Sequence, residues 1–350
     1  MRSDPSSFTL LDGPLLPNDA IEGAQAMKLD APDDLVVCRD GTLAVASGNS
    51  VLRVDGEGKA AKPYAAFANK VTALCVGAGE TIHAAVESEG IYKLPPSGEA
   101  VLLSSASQLT GAITACCATA DGTLLATRAS TVTGQYPYTH ELFSARGSGQ
   151  LLAVAPDGSC KVLVEGLRGP HGVAQMASGE IAIAETWDAA VRVLEVSGRQ
   201  RTALAQFAGY PGRLKPLASG GYLMTCLSRR DPLVDFIRTE KAFAQAMMRE
   251  IDPKYWVSPR LESAIDVHLP AQSGAARLFG EIKPWAPSLS YGLVVEVDAN
   301  FVPFASYHSR ANGVRHGIVG AVEWNRRIAA VSKATGELLF MQARSRSDDR

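Results

Sequence analysis

Apolar residues along this chain recur as pairs of short runs separated by a polar turn. Leu35-Val36-Val37 precedes Asp40-Gly41 and Leu43-Ala44-Val45, and Leu74-Cys75-Val76 precedes Gly79 and Ile82. Cys116-Cys117, Asp121-Gly122 and Leu124-Leu125 make a third copy, and Val173-Ala174, Ser178-Gly179 and Ile181-Ala182-Ile183 a fourth. Leu214 to Leu217 with Gly220-Gly221 and Tyr222-Leu223 is a fifth, and Val319 to Val322 with Asn325 and Ile328 a sixth. A tight hairpin turn needs a residue at positive φ, which Gly tolerates without steric cost and Asn at little cost. A third short strand follows several hairpins: Val51 to Val54, Gly90 to Tyr92, Leu151 to Val154 and Val191 to Leu194. The turns repeat at a spacing of roughly 40 residues, the period of a four-stranded propeller blade. The pattern predicts an all-β, six-bladed propeller over residues 31–342.

Two stretches lengthen the period. One carries Tyr136-Pro137-Tyr138, and the other, about residues 231–287, is an insertion in the fifth-to-sixth blade region. In the second, Leu233, Phe236, Ile237, Phe243, Ala244, Met247 and Met248 recur three and four residues apart, predicting an amphipathic helix across the propeller top. Residues 1–30 are an N-terminal segment available to close the last blade, and residues 343–350 are expected to be a disordered tail.

Composition narrows the function classes. A 46% hydrophobic and 20% charged chain has the make-up of a globular core. A net charge of −2, both signs interspersed, offers no field for a phosphate backbone, so nucleic-acid binding is not expected. No run approaches the roughly 18 apolar residues of a membrane span, and Asp4, Asp12 and Asp19 interrupt the N-terminus where a secretory leader would be apolar. Cys38, Cys75, Cys116, Cys117, Cys160 and Cys226 lie mostly inside apolar runs with no zinc spacing, which points to buried free thiols and a cytoplasmic protein.

Particular residues then become recognisable. Gly166-Leu167-Arg168-Gly169-Pro170-His171-Gly172-Val173-Ala174 runs into Ile181 to Thr186, and the chain continues through Val191 to Leu194 and Phe207 to Pro211. Ser228-Arg229-Arg230-Asp231-Pro232-Leu233-Val234-Asp235-Phe236 and Tyr291 to Val295 complete the set. These segments resemble the strictosidine synthase-like proteins, which belong with the gluconolactonases and paraoxonases among calcium-dependent six-bladed propellers. The resemblance covers roughly residues 31–340.

The resemblance implies a tunnel calcium held by several hard oxygen ligands. Carried over one position at a time, the acidic pair falls on Asp33 and Asp34, the first Asn on Thr114, the second on His171, and the Asp-Asn pair on Gly212-Arg213. Most of the oxygen ligands are absent, and Arg213 brings a fixed positive charge. The glutamate that transfers a proton in strictosidine synthase falls on Val319. Both chemistries implied by the resemblance therefore lack key parts.

Inner-strand residues of different blades converge at a tunnel mouth, which makes Asp33, Asp34, Thr114, His171, Arg213 and His316 the candidate pocket, with Tyr210 beside them. One arrangement is acid–base catalysis: His171 or His316 moves a proton, Asp34 or Asp33 orients it, and Arg213, Thr114 and Tyr210 hold the substrate. A second is a rebuilt metal site of Asp33, Asp34 and His171 or His316, whose imidazole would favour a transition metal over calcium. A third is a salt bridge between Arg213 and the Asp pair in place of calcium. Glu185-Thr186 is expected to be structural. Tyr136 and Tyr138 are rim candidates, and Trp256 and Trp285 shape or anchor the insert. His83, His140, His268 and His308 have no partner visible in sequence. The expectation is an enzyme-like propeller acting on a small anionic or carbonyl compound by hydrolysis or a lyase step. No cofactor is expected, with calcium or a transition metal as the alternative. A non-catalytic binding propeller is the competing reading.

Overall fold

The computed structural model describes residues 11–96, 99–132, 138–262, 277–278, 281–282 and 289–343. Six four-stranded antiparallel sheets are arranged as the blades of a propeller. The first four run in chain order: Pro32–Val37 to Ala61–Ala66, Val71–Val76 to Val101–Ser104, Ile113–Ala118 to Cys160–Leu167, and Pro170–Gln175 to Gln200–Leu204. The fifth comprises Gly209–Pro216, Tyr222–Arg229, Leu293–Val297 and Pro303–His308. The sixth takes Ile318–Trp324, Arg327–Ser332 and Glu337–Gln342 from the end of the chain, and its outer strand, Gln25–Lys28, from the beginning. Gln25 lies opposite Phe340 and Lys28 opposite Glu337, so the two ends of the chain close the ring.

The hairpin residues read from the sequence have the backbone those turns demand. Gly122 and Gly179 sit at φ 84° and 83°, and Asn325 takes the same role at φ 49°. Each gap between neighbouring blades is filled by its own apolar cluster. Val36, Ala44 and Ala46 of blade one meet Leu74, Ile82 and Ala84 of blade two, and Leu35, Leu43 and Val45 meet Trp324 and Val331 of blade six across the opposite face. A blade buried on both faces reads as a nearly continuous apolar run, which is why runs such as Leu43-Ala44-Val45-Ala46 appear where simple alternation would mark a half-exposed strand.

The insert lies between the second and third strands of blade five. The stripe expected to be one helix is two, Pro232–Thr239 and Lys241–Glu250, separated at Glu240, whose φ of −82° and ψ of 70° break the helical path. The break changes which side chains face inward. Ile237, Ala244 and Met247 are buried against Trp187, Tyr210, Leu227 and Trp256. Leu233, Phe236 and Phe243, placed by periodicity on the same face, are exposed. Trp256 anchors the insert through Nε1, which donates to the Ile251 carbonyl at 2.9 Å. Tyr136, His268 and Trp285 lie outside the described residues, as do residues 1–10 and 344–350. No helix among the described residues is long and apolar enough to cross a membrane.

Candidate active site

Innermost strands of a propeller surround the central tunnel. In this chain an arginine lies across it. Arg213, on the inner strand of blade five, is 6% exposed. Its Nη1 donates to the carbonyls of Asp33 (2.9 Å) and Val319 (2.6 Å), and its Nη2 donates to Asp33 Oδ1 (3.0 Å) and to the Thr72 carbonyl. Nε lies 3.3 Å from Asp34 Oδ2. A guanidinium has five N–H donors; the four on Nη1 and Nη2 meet acceptors from blades one, two and six, while Nε faces the Asp34 carboxylate without a hydrogen bond. Asp34 also accepts from the backbone N–H groups of Leu35 and Leu74, both at 2.8 Å, and its Oδ1 lies 3.3 Å from Lys215 Nζ. Asp33 takes a second cation, the ammonium of Lys333. Burial alone would raise the Asp33 carboxyl, but Lys333 and Arg213 outweigh it and hold Asp33 below the usual carboxylate range. Burial acts against the charged form of Arg213 too, and Asp34 and Asp33 reverse that and raise it.

The residues present do not fit a calcium ion. Arg213 lies between the two carboxylates that would hold one, and those carboxylates are already engaged by Arg213, Lys215 and Lys333. Three positive groups against two negative ones leave no deficit of charge for a divalent cation to fill. Nor do Asp33, Asp34 and His171 assemble as a transition-metal site: no cluster of three His, Cys, Asp or Glu among the described residues could hold a metal. The unfolding temperature is accordingly expected to stay the same with excess chelator and with millimolar calcium. Saturable stabilisation by calcium would show that the plug opens.

Arg213 divides the tunnel into two cavities. The upper one, about 450 Å³, is lined by Thr114, His171, Trp187, Arg213, Val319 and Lys333 among others, and Tyr138 and Leu261 also border it. The lower one, about 650 Å³, begins at Lys215 and Leu214 and is walled by Cys75, Cys116 and Tyr222.

His171 is the titratable group of the upper cavity best prepared for proton transfer. Its Nδ1 is 3.0 Å from the Gly169 carbonyl and 3.1 Å from Thr186 Oγ, whose own proton goes to the Pro211 carbonyl at 2.6 Å. A carbonyl only accepts, so Nδ1 carries the proton and Nε2 keeps a lone pair. Burial, reinforced by the charge of Arg213, lowers the imidazole from 6.5 to about 4, so it is neutral at physiological pH. Thr114 also lines this cavity, but its hydroxyl donates to the Pro170 carbonyl at 2.6 Å, joining blades three and four.

Other expected site residues lie elsewhere. His316 is fully buried outside the cavity lining, with Nδ1 2.9 Å from Ser290 Oγ and Nε2 2.8 Å from the Arg310 carbonyl. Both ring nitrogens are engaged, so this histidine ties the top of blade five to blade six and is not placed to move a substrate proton. Tyr210 is fully buried in the cluster beneath the insert, its ring edge-on to Trp187 at 5.6 Å, and does not reach the cavity. Asp34 lies at the level of Arg213 and is fully buried, so of the acidic pair only Asp33 is on the cavity surface. Arg213 faces the cavity with its donors already engaged, which leaves it as a charge and not as a substrate clamp. Glu185, expected to be structural, is fully buried and pairs with Arg192.

Lys333, Glu141 and Trp187 border the cavity and were not anticipated. A signal for Lys333 exists in the repeat. The residue just after a blade's second strand reaches the cavity at Glu87, Ala129 and Thr186 as well as at Lys333.

No protein-family model matches this sequence, and no curated protein matches it. Solved structures do. A gluconolactonase candidate from a structural-genomics programme aligns over 91% of this chain and 92% of its own, with a TM-score of 0.57 and 12% identity. A gluconolactonase of Xanthomonas campestris, described as important in glucose secondary metabolic pathways, aligns over 91% and 88%, with a TM-score of 0.58 and 11% identity. The likeness at these identities is one of fold, and it makes this chain a six-bladed β-propeller.

Proposed function

We propose that the upper cavity is a metal-independent active site for a small ester or lactone, with His171 as the proton acceptor. One observation carries this reading: His171 is held neutral, protonated on Nδ1, with Nε2 left as a free base beside a cavity of small-molecule size. As water attacks the substrate carbonyl, Nε2 takes its proton, and the imidazolium then returns that proton to the alkoxide that leaves as the acyl C–O bond breaks. Lys333, held by Asp33, keeps N–H donors for the developing oxyanion. Arg213 supplies the positive charge behind the site that calcium supplies in calcium-dependent propellers. The gluconolactonase neighbours support the substrate class by analogy of fold alone. We also read the chain as strictosidine synthase-like, on the Gly166–Ala174 and Ser228–Phe236 segments. Val319 stands where that chemistry has its glutamate, so a hydrolytic step is favoured. All six cysteines are free, which supports a reducing compartment such as the cytoplasm.

The test is a pH-stat screen of esters and lactones in the presence of chelator. Hydrolysis is expected to continue under chelator and to be flat from about pH 6 to 8. It should fall on the acid side with an apparent pKa of about 4, as His171 takes up a proton. Activity that needs calcium, or a rate insensitive to pH down to 3, would overturn it. The second reading is a ligand-binding propeller without turnover, favoured by the engagement of both Nη groups of Arg213 with protein acceptors. Saturable binding of lactones with no hydrolysis would establish it.

A further inference from the structure

We infer that a second cleft, on the outer side of the Trp187 turn, binds a phosphorylated small molecule. This cleft, about 610 Å³, opens between the turn after Leu142-Phe143 and the junction of the two insert helices. Five cations line it: Arg146, Arg168, Arg230, Arg238 and Lys241. Against them stand Asp188 on the wall and Asp235 behind, an excess of three positive charges on a chain whose net charge is −2.

The arginines are fixed in place by groups that do not use up their donors. Arg168 Nη2 donates to the carbonyls of Glu141 and Ser144, both at 3.1 Å, and Nε lies 3.0 Å from Asp188 Oδ1, while Nη1 is not engaged in these contacts. Arg230 holds Asp235 through Nε (3.0 Å) and Nη2 (2.9 Å), again without Nη1. Arg238 donates to the Trp187 carbonyl at 2.8 Å and faces both Asp188 and Asp235. Burial, and the neighbouring Arg238, push Arg168 below its ordinary value although Asp188 opposes the shift, so cations are crowded here. Arg146 and Lys241 are exposed at the cleft and form no ion pair among the described residues.

Guanidinium groups held in place, each with N–H donors beyond those the protein uses, favour oxyanions, and a dianion gains more than a monoanion from an excess of three charges. The volume exceeds that of a phosphate ion and is ordinary for a small metabolite. Leu142, Phe143 and Ala244 supply apolar wall for the rest of such a molecule. Because the cleft is concave and walled, its ligand is a soluble molecule, not a membrane headgroup.

The test is isothermal titration calorimetry of the full chain with inorganic pyrophosphate at fixed ionic strength, with an Arg146→Ser, Lys241→Ser double variant alongside. Saturable binding to one site is expected, weakened roughly tenfold or more in the double variant. Both side chains are exposed, so the unfolding temperature should not change. Absence of saturable heat, or equal affinity in the double variant, would overturn the inference. Co-sedimentation with phosphatidylglycerol vesicles without pyrophosphate binding in solution would also overturn it, by assigning the surface to a lipid headgroup.

Discussion

An Arg213→Met variant is expected to lose about 3–5 kcal/mol of stability, the usual cost of removing one partner from a buried ion pair. Arg213 touches blades one, two and six from blade five, so its loss removes contacts that hold opposite sides of the ring together. Asp34 is fully buried and would keep only Lys215, at 3.3 Å, as a countercharge. At about 2–4 °C per kcal/mol for large domains, the unfolding temperature should fall by roughly 6–20 °C. Arg213→Lys should recover little of this, because one ammonium cannot span acceptors on three blades as a planar fork does. Thermal melts by circular dichroism decide it. A methionine variant melting within about 2 °C of the parent would mean the tunnel is held by its apolar inter-blade clusters, with the ion pair incidental.

His171→Gln is expected to lower the turnover of any ester or lactone hydrolysed in the upper cavity by about 10²- to 10⁴-fold, with KM little changed. The glutamine amide can still donate to the Gly169 carbonyl, so the local backbone keeps its partner, but it offers no basic lone pair in place of Nε2. Unchanged turnover in a folded variant would remove His171 from the chemistry and leave the cavity as a binding site. A raised KM with kcat little changed would indicate a role in holding substrate. The acid limb needs a folding control. The folded-state value of about 4 lies below the ordinary 6.5, so the unfolded chain binds the extra proton first as pH falls. The stability linked to His171 is complete above about pH 6.5 and is lost progressively down through about 4, amounting to about 3 kcal/mol. His83, lowered to about 4 by burial, adds to the loss over the same window. Circular dichroism at each pH separates protonation of a folded site from unfolding.

How much of this was legible beforehand differs between fold and site. Hairpin turns, apolar runs and their spacing are local properties of the chain, so the blades could be read directly, down to Gly122, Gly179 and Asn325 at positive φ. Which residue stands at each inner-strand position, Arg213 among them, is also local and legible in the sequence. The helical stripe was read as continuous because periodicity does not register a single non-helical residue such as Glu240. His316 and Tyr210 come from the same neighbourhood of the fold as His171, yet only His171 faces the cavity. Depth below the tunnel mouth and the partners a side chain finds across blades decide that, and neither is written in spacing.

The sequence alone determined a six-bladed ring with a helical insert, and a histidine on the inner strand of blade four. Only the tertiary structure decided that Arg213 would span acceptors on three blades, that Lys333 would join Asp33 from the far end of the chain, and that His171 would keep Nε2 free of the contacts that fix Nδ1. Those outcomes depend on hydrogen bonds between residues as far apart as Asp33 and Lys333. Such bonds join blade one to blade six and so exist only in the closed ring.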